Sequence, residues 1–441
     1  MQHQNVIIIG GGPAGRVVAR MTRNAGKSVT VIKEEEINAS RCVIPYGIIP
    51  KKPPEQYFIP NSFILDTGAD LLIDRVTGID SANAQLFTSK GEQFSYDHLV
   101  LATGAHPVIP PIPGVDARNV TPLRVREDMV MIRELGQQSR KAVILGGGYI
   151  GIEVATVLHA MGLEVTIIEK LPGLLSMRFE AALLPDIEEG LRSEGVEVRT
   201  GTAATEIRTS NGTATGVQLA SGEVLDADFV VLAVGATPNI ELASESGIAA
   251  SPYGFGTDEF LRTNVPNIYA AGDCAEKKSF ITGTPVRGDF GTTAVMMAKV
   301  VGANILGQNR RFPGVINTNA VAAFGFSFGS AGLSAPLAQE AGMEVVSGFS
   351  DVLNKYPMMD GVDHIKTVLL FEKATQKLVG GSVVRKDHCT VHNVDFLSMA
   401  IQMGATLEQV INYQYAAHPD MAARPSDNMF VFAAQDARKQ R

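Results

Sequence analysis

Cysteine is scarce in this chain, with three residues in 441. An odd number that small excludes a disulfide framework and points to a reducing, cytoplasmic setting. Long apolar runs are missing too: none reaches the roughly 18 to 20 residues a membrane-spanning helix needs, so no membrane partner is expected. The chain opens straight into an apolar strand, with no basic region and cleavage site ahead of it, which argues against secretion. Positive charge is in deficit, with a net charge of -8, and this gives no reason to expect a nucleic-acid partner. Low-complexity segments are absent, and a chain of 441 residues is too long for one core, so several domains are expected.

What is present is a phosphate-binding pattern, twice. Val6-Ile7-Ile8-Ile9 runs into Gly10-Gly11-Gly12-Pro13-Ala14-Gly15, and Lys141 to Leu145 runs into Gly146-Gly147-Gly148-Tyr149-Ile150-Gly151. Each reads as strand, tight turn and helix start. The glycines allow the turn, the close approach of backbone to a pyrophosphate, and helix-strand packing. The helices are expected from Ala14 to Ala25 and from Ile152 to Leu163, followed by the strands Val29–Ile32 and Val165–Ile168. A dinucleotide fold places an acid at the end of that next strand, to hold a ribose hydroxyl. The second copy supplies Glu169. The interval from Gly146 to Glu169 equals that from Gly10 to Lys33, so the first copy has a lysine there, and Glu34 is taken as its ribose ligand. Glu169 favours NADH over NADPH, whose 2'-phosphate it repels, and Lys170 next to it softens the preference.

Two further strand-turn runs follow the same logic, Asp97 to Gly104 and Phe229 to Asn239, and Asn267 to Asp273 makes a third. Pro107, Pro110, Pro111 and Pro113, closing on Gly114, mark a boundary, because proline cannot continue a strand. From about residue 318 the dinucleotide loops stop. Strand-like Val368–Phe371 and helix-like Leu397–Met403 point to an α+β domain, with the tail from Asp436 frayed. The expected architecture is α/β: two Rossmann-like dinucleotide-binding domains, at 1–112 with 240–317 and at 113–239, then a C-terminal α+β domain at 318–441.

The chemistry centres on Arg41-Cys42-Val43-Ile44-Pro45-Tyr46-Gly47. A cysteine this close behind a dinucleotide loop suggests redox use, against the plainer fate of a small buried hydrophobe. Cys274 reads as packing. His388-Cys389 with His392 has metal-ligand spacing, but no second pair lies nearby, and no metal is expected.

In the order of its motifs the chain resembles the FAD-dependent pyridine nucleotide-disulfide oxidoreductases. The likeness rests on the first loop, Ala102-Thr103-Gly104, the second loop through Glu153, Val234-Gly235-Ala236-Thr237-Pro238-Asn239 and Ala271-Gly272-Asp273. It implies that Gly10, Gly12, Pro13, Ala14, Gly15, Arg41, Cys42, Ala102, Thr103, Gly104 and Asp273 hold FAD. It assigns NAD(P)H to Gly146, Gly148, Tyr149, Ile150, Gly151, Glu153 and Gly235, with Tyr149 over the flavin and movable, and a Glu153–Lys51 ion pair close by. The last domain implies a homodimer.

Cys42-Val43-Ile44-Pro45-Tyr46 is similar to the Cys-x-x-Pro-Tyr of coenzyme A disulfide reductases and polysulfide or persulfide reductases, which work with one cysteine because the substrate brings the second sulfur. Hydride from NADH would reach FAD, and two electrons would then reach a mixed disulfide at Cys42. The resemblance implies protonation of the leaving thiol by Tyr356 or Tyr415 of the partner subunit. His418 lacks its usual glutamate, since residue 423 is alanine, and Met358 replaces a glycine that often follows Tyr-Pro. Arg16, Arg20 and Arg23 share a helix face and, with Lys51 and Lys52, are either coenzyme A phosphate partners or a solvated surface. Two alternatives stand beside the small-disulfide reductase. One is an NADH oxidase or peroxidase using a Cys42 sulfenic acid, disfavoured by Pro13 where those enzymes usually carry histidine. The other is a flavin-bearing redox sensor.

Overall fold

The run Val6–Ile9 becomes the centre of a parallel sheet because it is apolar on both faces, as a strand covered on each side must be; the four residues are at most 7% exposed. The computed structural model describes residues 1–243, 246–387 and 390–440. His388 and Cys389, where the metal reading was weighed, lie outside that set. The chain forms two compact units.

The first unit comprises Met1–Val108, Leu123–Met131 and Gly235–Val315. Its main sheet has seven strands. Gln2–Ile9 pairs in parallel with Val29–Lys33 and with Gln93–Leu101, and Ile268–Ala270 joins the last of these, also in parallel. Helices Pro13–Asn24 and Gly291–Ile305 pack against each other, burying Val18, Ala19, Met297, Ala298 and Val301 in the core of this sheet. Burying each large apolar side chain is worth about 1.5–3 kcal/mol. The segment carrying Cys42 is an excursion from the sheet, stapled at its base where Asn38–Ala39 pairs with Phe58–Ile59.

A turn of this unit shows how its charges are held. Burial alone would raise the Asp74 carboxyl, but hydrogen bonds from Ser89, Thr88 and the backbone N–H of Arg75 and Lys90 hold it down to about 2. A carboxyl depressed from its usual 3.8 contributes stability that is complete above about pH 4 and lost as pH falls toward 2. Asp74→Asn is therefore expected to lower Tm at neutral pH and to flatten the acid limb of a Tm-against-pH curve, measured by thermal denaturation.

The second unit comprises Ile109–Pro122, Ile132–Val234 and Ile316–Arg441. A five-stranded sheet orders Val120–Pro122, Phe229–Leu232, Lys141–Leu145, Glu164–Ile168 and Glu197–Arg199, all in parallel. A second five-stranded sheet is antiparallel, running Asn319–Ala323, Phe326–Gly332, Leu378–Arg385, His364–Glu372 and Val345–Leu353, and helices Thr390–Gln402 and Met429–Lys439 pack on it. The tail is not frayed at Asp436: the last helix runs to Lys439, because Ala433, Ala434 and Ala437 are fully buried. Gly348 admits it closely, since a Cβ there would lie 1.9 Å from the Ala433 carbonyl oxygen. Among the described residues no helix is long and apolar enough to cross a membrane.

Candidate functional site

The two glycine loops are built alike. Gly10 has φ +114° and Gly146 φ +110°, where side chains are rarely tolerated. A Cβ on Gly10 would stand 2.0 Å from the Ala102 carbonyl oxygen, and one on Gly146 would stand 2.4 Å from that of Ala233. Gly15 and Gly151 each bring a helix so close that a Cβ would lie 2.0 Å from the carbonyl oxygen of Gly10 or Gly146. Gly12 and Gly148 are N-caps without side-chain caps, and nothing lies within 4 Å of a Cβ on either. Each loop thus leaves helix-terminal N–H groups facing open space, the arrangement that receives a pyrophosphate. Pro13 fills the first helical turn, where its missing N–H costs nothing.

The floors of the loops differ in charge. Under the second, Glu169 accepts from the N–H of Gly147 at 2.7 Å and of Leu171 at 2.8 Å. Under the first stands Lys33, 4% exposed, its Cδ 2.7 Å from where a Cβ on Gly11 would be. Burial lowers its pKa, with Arg16 adding to the effect and Glu35 and Glu36 opposing it. Its ammonium donates to Asn38 Oδ1 at 2.8 Å, Asn61 Oδ1 at 2.7 Å and the Glu36 carbonyl at 3.2 Å. Those three bonds use all its protons. Lys33 braces the excursion that carries Cys42. Glu34, the expected ribose ligand, is exposed and pairs with Arg75 at 3.6 Å, so a ribose contact would require another rotamer.

Around the residues expected to hold flavin the sequence motifs interlock. Thr103 Oγ1 donates to the Asn239 carbonyl at 2.7 Å, Asn239 Nδ2 returns a bond to the Thr103 carbonyl at 2.8 Å, and the Asn239 N–H reaches the Gly104 carbonyl at 2.9 Å. Gly104 and Gly235 both take positive φ at these turns. Asp273 pairs with Arg124 at 2.8 Å, both side chains largely buried. Arg124 was not foreseen. Its Nε is buried without a hydrogen-bond partner, a donor held beside Asp273 as a polar ligand would require. The Arg124 carbonyl accepts from Arg41, whose other contact is Glu35. Arg41 is thus committed to protein oxygens and links the Cys42 segment to Arg124. These features fit FAD: the first loop would take its pyrophosphate, and Asp273 with Arg124 its polyol chain.

Cys42 is exposed, just ahead of the short helix Ile44–Gly47. Its Sγ lies 3.8 Å from where a Cβ on Gly291 would be, so the start of the Gly291 helix leaves room for the sulfur. Cys274 is fully buried, its Sγ 3.3 Å from the Leu101 carbonyl and 3.5 Å from that of Ala271. Burial pushes its thiol pKa up.

In the second unit Tyr149 opens the helix Tyr149–Ala160, its hydroxyl buried. Burial pushes its pKa up to about 12, with Ser330, Arg178 and Asn319 opposing the rise. Tyr356 and the segment of Tyr415 and His418 are brought together: the Tyr356 N–H donates to the Pro419 carbonyl at 3.0 Å, and Lys355 pairs with Asp420 at 2.8 Å. The Tyr415 hydroxyl donates to the Pro425 carbonyl at 2.6 Å, and His418 Nδ1 accepts from the Asp420 N–H at 3.2 Å. Cys42 and Lys51 belong to the first unit, and both tyrosines and Glu153 to the second. Among the described residues no group of three or more His, Cys, Asp or Glu side chains is placed to hold a metal ion.

Comparison with known proteins agrees with this geometry. A curated NADH oxidase of Methanocaldococcus jannaschii is 32% identical over 98% of both chains. An NAD(P)H coenzyme A polysulfide/persulfide reductase of Pyrococcus horikoshii is 31% identical over 95% of each. The solved NAD-dependent persulfide reductase of A. fulgidus superposes with a TM-score of 0.94 at 30% identity, covering 99% of this chain and 83% of its own. Residues 4–298 match the pyridine nucleotide-disulphide oxidoreductase family and residues 318–428 its dimerisation domain. The chain belongs to the pyridine nucleotide-disulphide oxidoreductase family, as an FAD- and NAD(P)H-dependent oxidoreductase.

Proposed function

We propose that the chain reduces a low-molecular-weight disulfide, persulfide or polysulfide with NAD(P)H, coenzyme A disulfide foremost, through Cys42. The observation that carries this is the isolation of an exposed Cys42 from the other described thiol, sealed at Cys274. The second sulfur of the redox couple is then the substrate's own. FAD, when bound, supplies hydride acceptance from the nicotinamide and two-electron delivery to sulfur. Cys42 enters each cycle as one half of a mixed disulfide; two electrons cleave it to the Cys42 thiolate and the substrate's first thiolate, and Cys42 then attacks the next sulfur-sulfur bond, re-forming the mixed disulfide and expelling the second thiolate. Each leaving thiolate takes one proton, the expelled one from Tyr356 or Tyr415 of a partner chain brought in by the dimerisation domain and the first from solvent.

The coenzyme A preference is supported by exposed side chains of the Cys42 excursion and of the segment that follows it. Val43, Tyr46, Phe63 and Leu65 are exposed apolar side chains, suited to a pantetheine arm. Arg16 lies over the Phe63 ring at 5.7 Å with its Nε buried and unpartnered, and Arg20, Lys51 and Lys52 are exposed nearby in sequence. Together they suit phosphate groups.

The name of the Methanocaldococcus relative favours a second reading, an NADH oxidase acting through a Cys42 sulfenic acid. Pro13 offers that chemistry no side-chain proton. The test is NADH consumption with and without coenzyme A disulfide, under air and under argon. Turnover under argon that requires the disulfide supports the reductase. Turnover that needs oxygen and ignores the disulfide overturns it.

Glu169 is assigned the choice of nicotinamide. Glu169→Ala removes both its bonds to backbone N–H groups and its repulsion of a 2'-phosphate. The KM for NADH is expected to rise by about tenfold, the equivalent of 1.4 kcal/mol, while that for NADPH changes less. Steady-state kinetics with each nucleotide check it, and an unchanged KM ratio counts against the assignment.

A further inference from the structure

Lys277 carries a buried charge that neither the loops nor the sulfur chemistry requires. It is 1% exposed. Its ammonium donates to the Gly272 carbonyl at 3.0 Å and the Ala275 carbonyl at 2.9 Å. It also lies 3.1 Å from Asp289 Oδ1, an ion-pair distance outside hydrogen-bond geometry. Asp289 Oδ2 in turn accepts from Arg287 Nε at 2.8 Å. The hairpin Lys277–Lys278 with Pro285–Val286 returns the chain to this cluster.

Stability does not explain the arrangement. Desolvating an ammonium costs several kcal/mol, and replacing a buried ion pair by apolar side chains is often neutral or better. What the cluster joins does explain it. Gly272 immediately precedes Asp273, paired with Arg124. Asp289 precedes by two residues the start of the helix Gly291–Ile305, where the Cys42 sulfur rests. One ammonium therefore ties the turn presenting Asp273 to the helix start beside Cys42, and the trio of Lys277, Asp289 and Arg287 leaves a net positive charge there.

We propose that Lys277 is a positioning residue of the redox centre, fixing the Asp273 turn through the Gly272 carbonyl and the start of the Gly291 helix through Asp289. The proposal rests on the reading of Cys42 as the redox thiol. It is tested in the full-length protein with Lys277→Met, Asp289→Asn and the apolar pair Lys277→Met/Asp289→Leu. Three quantities are measured: Tm, FAD affinity by fluorescence titration of the apoprotein, and the rate of Cys42 alkylation by iodoacetamide at one pH after reduction, read by peptide mass. Each single variant is expected to weaken FAD binding by about tenfold and to change the alkylation rate by about fivefold, as small displacements of a site do. The apolar pair recovers Tm without recovering either. An apolar pair with wild-type Tm, FAD affinity and alkylation rate would reduce Lys277 to packing and overturn the proposal. Should Lys277→Met fail to fold, the other two variants decide on the same criteria. If Cys42→Ser shows normal disulfide turnover, the redox reading fails by itself, and the FAD-affinity measurement still judges Lys277.

Discussion

Cys42→Ser is expected to leave a yellow, FAD-containing protein whose NADH-driven reduction of coenzyme A disulfide falls by about a thousandfold or more. A serine hydroxyl neither ionises near neutral pH nor forms a mixed disulfide. Cys274 cannot take over: it is fully buried, and burial raises its pKa further from ionisation. The glycine loops are shaped by their own backbone and its close approaches, so flavin content should hold. The measurements are the ratio of flavin to protein absorbance and the anaerobic rate with disulfide. NADH-driven reduction of a dye that accepts electrons directly from flavin serves as the internal control. A serine variant that reduces the disulfide at the parent rate removes the basis for the proposed function.

The second large effect separates the two loops. Gly10→Ala places a side chain at φ +114° with its Cβ 2.0 Å from the Ala102 carbonyl oxygen. Strain of this kind costs on the order of 1–3 kcal/mol before any clash is counted, and relieving the clash displaces backbone under the flavin pyrophosphate. The variant is expected to be purified largely without FAD. Gly146→Ala, with φ +110° and 2.4 Å to the Ala233 carbonyl oxygen, imposes the same distortion in the other unit. It is expected to keep its flavin while the KM for NADH rises by about a hundredfold, equal to about 2.8 kcal/mol. Flavin absorbance and steady-state kinetics check the pair. If both variants lose flavin alike, or Gly10→Ala alone raises the KM, the assignment of loops to nucleotides is wrong.

Much of the site was legible because it is local. A φ near +110° demands glycine whatever surrounds it, so the loops could be read from spacing alone. Glu169 follows its loop at a fixed interval for the same reason: strand, turn and helix set the distance. Asn239 and Thr103 are 136 positions apart and still legible, since each closes a strand of recognisable composition. What escaped was long-range charge pairing. Arg124 meets Asp273 across 149 positions, and nothing near an arginine in a loop announces an aspartate that remote. Lys33 could be seen only as an acid missing. Its three oxygen partners come from an excursion whose path the sequence does not determine. Lys277 sits between charged neighbours and reads as surface, until the hairpin folds it inward. The last helix was missed because Arg438, Lys439 and Arg441 make the tail polar, while the alanines on its inner face carry a weak apolar signal.

The opposed charges beneath the two loops have a consequence for residence time. A dinucleotide arrives with a doubly negative pyrophosphate. Above Lys33 it would meet a cationic floor; above Glu169 it would meet a carboxylate that lends nothing to the phosphates. On the proposed assignment of the loops, one nucleotide would be kept as a tenant through many cycles, while the other would be free to depart as soon as it had been spent.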